Sequence, residues 1–321
     1  MMNFVIFGHT VGVKKLLETI PQLGGKVSAI FTHPRAQHKA DLDMYQSRKA
    51  HFGEYAYDIF DVPEKFGIPV FDEENMNHPE VINKVLSFHP DVALSIGSRT
   101  IFNQTFIKAM PRIANMHPFH LPYWRGAALD TWMILNGAWD TWQKASCHEI
   151  IPNIDQGGII AQEPYFIDNK SYPVDIFKKR MDVMPQLMTE VYKKMELGES
   201  AVPQDESVAR YFPRLFTPRD GKINFERFHG EEIVRFIYGF GYPYAGAHCF
   251  LGEKKVHILE ADFVSNDTPY HSFGWGLIIG RNENWEYQVL VNGGILTVKK
   301  IECEGEEIPV SKIFRLGKQL T

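Results

Sequence analysis

Phe4-Val5-Ile6-Phe7-Gly8-His9-Thr10-Val11-Gly12-Val13-Lys14-Lys15-Leu16-Leu17-Glu18-Thr19-Ile20 opens with an apolar run, turns at a glycine and continues with apolar residues at helical spacing. Phe4 to Phe7 fits a strand buried on both faces. Val11, Leu16, Leu17 and Ile20 share one side of a helix. Strand, glycine turn and helix in that order begin a βαβ unit, and the pattern recurs. Further strands are expected at Val27–Phe31, Pro69–Phe71, Val92–Ile96, Ile113–His117 and Ser146–Ile151. Helices are expected at Glu80–Phe88, behind Asn77 and Pro79, at Leu129–Leu135 and over one long span, Val174–Leu197. Residues 1–200 therefore read as an α/β domain built on a parallel sheet. Gly198–Val208 (GESAVPQDESV) reads as a linker. In residues 208–321 a helix at Gly230–Tyr238 precedes short β-rich runs at Ala247–Leu251, Lys255–Leu259, Gly276–Ile279, Tyr287–Val291 and Leu296–Ile301, the spacing of a small β-barrel.

The composition agrees with two soluble domains: 321 residues, 44% hydrophobic and 23% charged, which excludes disorder as a whole-chain description. No run of about 18 apolar residues exists to cross a membrane, and the opening residues lack a signal-peptide pattern. Cys147, Cys249 and Cys303 are odd in number and far apart, so neither a disulfide framework nor a cysteine zinc site is indicated. The chain reads as reduced and cytoplasmic. A net charge of -5 gives no global positive field for nucleic acid.

Gly8-His9-Thr10-Val11-Gly12 lacks the G-x-G-x-x-G spacing of a dinucleotide site and reads as a tight strand-to-helix turn. Ile113-Ala114-Asn115-Met116-His117-Pro118 is more informative. On a strand, Asn115 and His117 face the same side about 7 Å apart, at the carboxyl end where such sheets bind ligands. Asp155 lies in the loop Asn153–Gly158, just before two glycines. A carboxylate near His117 would orient its imidazole, and the Asn115 amide could stabilise an oxyanion. Together they suit acyl transfer to an amine, which needs no serine or cysteine nucleophile. The alternative of another class is a zinc-dependent hydrolase using His117, His120, His148 and Asp155; Pro118 makes that convergence awkward.

The run NMHPFHLPYWRGAALDTW, followed by HEIIPNIDQGGIIAQ, resembles the signature of the folate-dependent formyltransferases: Asn-x-His, Leu-Pro-x-x-Arg-Gly, then Asp-x-Gly. The similarity extends in order through IFTHP, MNHPEVINKVLSFHPDVALSIGSR, FTPRDGKINF and GYPYAGA. It implies a Rossmann-like catalytic domain, an OB-like barrel behind it, and 10-formyltetrahydrofolate as formyl donor. It also implies a catalytic trio of Asn115, His117 and Asp155, and a folate pocket at Ile96, Gly97, Ile151 and Ile154. Arg125 and Gly126 match the family's Arg-Gly step, as substrate contacts or as a pinned loop.

Two branches of that family share the two-domain layout. Methionyl-tRNA formyltransferases carry a basic insertion after the second strand and a basic second domain. Here the insertion, Arg35–Tyr57, mixes signs, and from Val208 onward 14 Lys or Arg face 14 Asp or Glu. That balance argues against tRNA. The segments around THP, NHP, PDVALS and Arg99 are similar to the formyltransferase domain of the bifunctional polymyxin-resistance enzyme and to sugar N-formyltransferases. This resemblance implies a UDP- or dTDP-linked dideoxy amino sugar as acceptor, for polysaccharide biosynthesis. Arg219, with Arg214 and Lys222, is a candidate cation for its diphosphate, and Arg99 a candidate substrate contact; Tyr238 and Tyr242 are candidates to stack on its base. Apolar surface on the second domain would suit a homodimer.

Overall fold

The computed structural model describes residues 1–217, 219–266 and 270–321, so Pro218 of the FTPRDGKINF motif lies outside the described residues. The chain divides into two compact units. One comprises Met1–Leu129, Thr141–Ile167 and Phe177–Pro213; the other comprises Asp130–Asp140, Asp168–Ile176 and Arg214–Thr321.

Nine strands belong to the first unit: β1 (Asn3–Gly8), β2 (Lys26–Thr32), β3 (Val70–Asp72), β4 (Val92–Ile96), β5 (Ile113–His117), β6 (Arg125–Gly126), β7 (Thr141–Glu149), β8 (Ile159–Ile167) and β9 (Tyr211–Phe212). Seven form one sheet in the order β3-β2-β1-β4-β5-β7-β8. The first five run parallel, as the alternating pattern predicts. The parallel sheet is then extended by β7, antiparallel to β5, and by β8, antiparallel to β7. β7 starts five residues before the strand expected at Ser146, and β8 lies where no strand is expected. Residues 141–144 alternate between half-buried and exposed, so their apolar signal is diluted. The long helix expected over 174–197 is two, Pro173–Asp182 and Met184–Leu197. Pro185 has no N–H to give a continuous helix, and it sits in the first turn of the second one, where none is required.

Aromatic residues hold one face of the sheet. Phe7 stacks on Phe31 with centroids 5.5 Å apart and meets the edges of Phe102 and Phe106 at 5.2 and 5.4 Å. On the other face Phe4 meets Tyr192 at 6.1 Å. The glycine pair is explained by close approach rather than by an unusual backbone angle. A Cβ on Gly8 would lie 2.1 Å from the Ile96 carbonyl oxygen, and one on Gly12 would lie 2.4 Å from the Ile96 side chain.

The stretch 198–208 is not a free linker. Val202 and Ile159 exchange backbone hydrogen bonds, and the Arg210 N–H donates to the Pro122 carbonyl. β9 then pairs in parallel with β6. The polar composition that suggests a linker instead supplies the hydrogen-bonding groups by which the segment docks.

The second unit carries β10 (Ala247–Leu251), β11 (Lys254–Ser265), β12 (Ile278–Arg281), β13 (Tyr287–Val291), β14 (Gly294–Cys303) and β15 (Glu306–Ile308) as an antiparallel sheet ordered β10-β11-β14-β13-β12, with β15 on β14. The chain end covers both edges of that order. Thr321 exchanges backbone hydrogen bonds with Phe250 on β10, while Ile278 on β12 donates to the Lys318 carbonyl. The tail thus bridges the two outer strands of the sheet, where the barrel expected from strand spacing would close. Among the described residues no helix is long and apolar enough to cross a membrane.

Phe7→Ala is expected to destabilise the protein by about 3–5 kcal/mol, because it empties the centre of a four-ring cluster. Urea denaturation followed by circular dichroism measures it; a loss below about 1 kcal/mol would mean the cluster is not the core of the sheet.

Candidate active site

Asn115 and His117 stand on β5, an interior strand of the sheet with β4 on one side and β7 on the other. Register across β5 and β7 sets Asn115 opposite His148 and His117 opposite Ser146. The Asn115 Nδ2 amide lies 3.3 Å from His148 Nε2. Asp155 approaches from the loop between β7 and β8. Its Oδ1 is 3.7 Å from His117 Nδ1 and 3.5 Å from His148 Nε2, and its Oδ2 accepts the Gly126 N–H at 2.9 Å. The expected trio is therefore gathered, with His148 as a fourth member.

The partners of the two imidazoles define their protons. His117 Nε2 lies 2.7 Å from the Trp124 carbonyl, which can only accept, so Nε2 donates. His148 Nδ1 donates in the same way to the Glu149 carbonyl at 2.7 Å. In their neutral forms both rings therefore turn a lone pair towards Asp155. That leaves His148 Nε2 able to accept from Asn115, which uses one amide hydrogen and keeps the second for another acceptor.

Burial pushes the His117 imidazole below its ordinary 6.5, outweighing the pull of Asp155. Burial alone would raise the Asp155 carboxyl. The charge that His117 and His148 would place beside it once protonated, together with the Gly126 amide, reverses this and holds it well below the usual carboxylate range. The resting pair is thus a neutral imidazole facing a carboxylate, with no proton of its own between them.

These groups line a cavity of about 440 Å³, within the range of small-molecule sites. Ile96, Gly97 and Arg99 line it from the end of β4, and Ile151 and Ile154 from the Asp155 loop; Gly126 contributes as well. Gly97 has φ +63, and Asp155, although not a glycine, has φ +54. Ile151 and Ile154 are 39% and 43% exposed, high for isoleucine, so the Asp155 loop turns apolar side chains outward beside the cavity.

Arg99 lines the cavity but donates to the Gln37 carbonyl and ion-pairs with Asp41. Among the described residues, His9, His38 and Asp41 could hold a metal ion, with ligand atoms within 4.8 Å of one another. The charge of that Asp41 is already matched by Arg99. Arg125 is buried, and its guanidinium is spent on Glu206 and Gln204, which supports the pinned-loop alternative over a substrate contact. His120, weighed as a zinc ligand, packs against Tyr123, and burial draws its imidazole down to about 4.

Arg219, Tyr238 and Tyr242 belong to the second unit. Arg219 pairs with its neighbour Asp220 and covers the Phe216 ring. Tyr238 is buried, stacked on Tyr172 at 4.8 Å and edge-on to Trp139 at 5.4 Å, so its ring serves packing rather than base stacking. Tyr242 meets the same Tyr172 ring at 5.3 Å.

Residues 2–192 match the family model described as formyl transferase, and residues 216–315 match the formyl transferase C-terminal domain. The chain belongs to the formyl transferase family. Solved structures share its fold. An N-formyltransferase from Helicobacter canadensis, in complex with folinic acid and dTDP-3-aminofucose, is 16% identical, with a TM-score of 0.60 over 93% of this chain and 99% of its own. A 4-N formyltransferase from Francisella tularensis is 17% identical, with a TM-score of 0.57 over 78% and 93%. HypX from Aquifex aeolicus, in complex with tetrahydrofolic acid, is 13% identical, with a TM-score of 0.59 over 97% of this chain; the match spans 46% of HypX, so the chain corresponds to under half of that protein.

The sequence offers His148 only as a zinc ligand in the hydrolase alternative, and it gives no sign of the Trp124 carbonyl. Their signal is a cross-strand register, which neighbouring residues do not encode.

The depressed His117 imidazole gives the site a pH dependence. The unprotonated ring persists below pH 6.5, so the His117 ring resonances in an NMR titration of the free protein are expected to shift only below 6.5; a midpoint above that value would mean that Asp155, not burial, governs the ring.

Proposed function

We propose that this protein transfers a formyl group from 10-formyltetrahydrofolate to the amine of a nucleotide-linked dideoxy amino sugar. The observation that carries the reading is the convergence of Asn115, His117 and Asp155 on one cavity with apolar walls. A folate suits that cavity: Ile151 and Ile154 offer exposed apolar surface for a flat ring, and Ile96 and Gly97 line the cavity from the end of β4. The formyl donor supplies an activated one-carbon acyl group. The solved neighbours in complex with tetrahydrofolic acid, and with folinic acid and dTDP-3-aminofucose, support this choice of donor and acceptor class.

The chemistry follows from the site. The amine nitrogen attacks the formyl carbon, the new C–N bond forms, and the carbonyl electron pair moves onto oxygen. Asn115 donates its second amide hydrogen to that oxyanion, and His148 holds the amide in the orientation that allows it. The amine then loses a proton to the His117 Nδ1 lone pair, beside which the Asp155 carboxylate stabilises the imidazolium as it forms. Collapse of the tetrahedral species breaks the bond from carbon to the folate nitrogen, and the proton passes to that leaving nitrogen. The neutral imidazole facing a carboxylate is suited to accept a proton at the moment of attack.

Purified protein should be incubated with 10-formyltetrahydrofolate and a panel of UDP- and dTDP-linked amino sugars, with methionyl-tRNA in parallel. Mass spectrometry should find one added formyl group on a sugar and none on tRNA; the reverse would transfer the protein to the tRNA branch. His117→Ala and Asp155→Ala should each lower kcat by about 10²–10⁴ with an unchanged far-ultraviolet spectrum. Near-normal turnover in either variant would remove that residue from the mechanism.

A further inference from the structure

The Asp155 loop holds its carboxylate against two imidazoles and an amide while carrying a non-glycine residue in the left-handed region, at φ +54. Such a conformation persists only where its surroundings impose it. On one side the loop is seated on the end of β7. The Glu149 N–H donates to the Gly158 carbonyl at 2.9 Å, and a Cβ on Gly157 would lie 1.9 Å from the Glu149 carbonyl oxygen. On the other side a single side chain holds it. Gln204 Nε2 donates to the Asp155 carbonyl at 2.8 Å and to the Gly157 carbonyl at 2.7 Å.

The other end of that carboxamide is also committed. Gln204 Oε1 accepts from Arg125 Nη2 at 2.8 Å and from Arg125 Nε at 3.2 Å. Glu206 takes the same guanidinium at 2.7 and 2.9 Å. The next residue is Gly126, whose N–H donates to Asp155 Oδ2. Hydrogen bonds thus close a ring from the Asp155 backbone through Gln204 and Arg125 to Gly126, and back to the Asp155 carboxylate. One side chain fixes both the loop that carries the carboxylate and the strand that donates to it.

We propose that Gln204 is a positioning residue for formyl transfer, holding the Asp155 carboxylate in register with His117, His148 and the Gly126 amide; this rests on the reading of Asp155 as a reacting group. The task selects the residue type. Two carbonyls need two donors, and the guanidinium needs an acceptor at the far end. Glutamine supplies both, whereas glutamate has no donor and lysine no acceptor. Asparagine is one methylene shorter. The segment that the sequence presents as a linker therefore contributes to the geometry of the catalytic loop.

Gln204→Glu is the decisive variant because it keeps the size and the acceptor for Arg125 but turns an oxygen towards two carbonyl oxygens. Gln204→Met keeps the bulk and removes both functions. In steady-state assays kcat should fall about ten- to a hundredfold in each, the loss expected when buried acceptors go unpaired. KM for donor and acceptor should stay within about threefold, since a positioning fault acts on the transition state. Hydrogen exchange, which needs no activity, should accelerate at residues 153–158 in both variants. A Gln204→Glu enzyme within twofold of wild-type kcat (about the scatter of such assays), or one impaired in KM alone, would overturn the proposal. So would unchanged exchange in the loop. If wild type formylates none of the acceptors, the functional reading fails, while the exchange result still decides whether Gln204 holds the loop. Should Gln204→Met not fold, Gln204→Glu alone decides.

Discussion

A carboxylate almost removed from water is the constraint around which the first unit is arranged. Asp155 accepts the Gly126 N–H and has the His117 and His148 rings at 3.7 and 3.5 Å, either of which would offset its charge once protonated. Without them, burial would favour its protonated form and the site would lose its negative charge. Each of the three comes from a different strand, β5, β7 or β6. The sheet order and the docking of residues 198–212 thus meet at one side chain. The His117 lone pair on the Asp155 side stays available, because Nε2 is already committed to the Trp124 carbonyl.

The antiparallel extension of the sheet has a chemical consequence. In an all-parallel sheet the strand beside β5 would present its carboxyl end next to that of β5. Because β7 runs the other way, His148 lies near its end yet directly opposite Asn115. An imidazole thereby reaches the asparagine amide laterally, and the chain leaves β7 close enough for the Asp155 loop to fold back over both. Glycine at 157 is required there by the 1.9 Å separation between a Cβ and the Glu149 carbonyl oxygen, not by composition.

The second unit depends on a different constraint, the closing of a sheet whose edges would otherwise offer unpaired backbone. Three C-terminal residues and their neighbours bond to both edges. Within that unit Tyr172, Tyr238, Tyr242 and Trp139 form one aromatic cluster, so the aromatic density that suggests base stacking in the sequence is largely absorbed by packing. A tyrosine ring reads the same in sequence whether its face meets another ring or a ligand.

What the sequence determined by itself is what short-range pattern encodes. The limits of β4, β5 and the helix Leu129–Leu135 are local and come out as the alternation predicts, as do β10 and β13. Asn115 and His117 are two residues apart on one strand, and Asp155 sits at a glycine pair, so the trio was legible from spacing together with the family's signature. Tertiary structure decided the rest. His148 joins the site through strand register, the protons of both imidazoles are set by the carbonyls of Trp124 and Glu149, and Gln204 reaches Asp155 across 49 residues of chain. Hydrogen bonds of that kind depend on where the backbone returns, and composition or periodicity within a segment carries no information about the return.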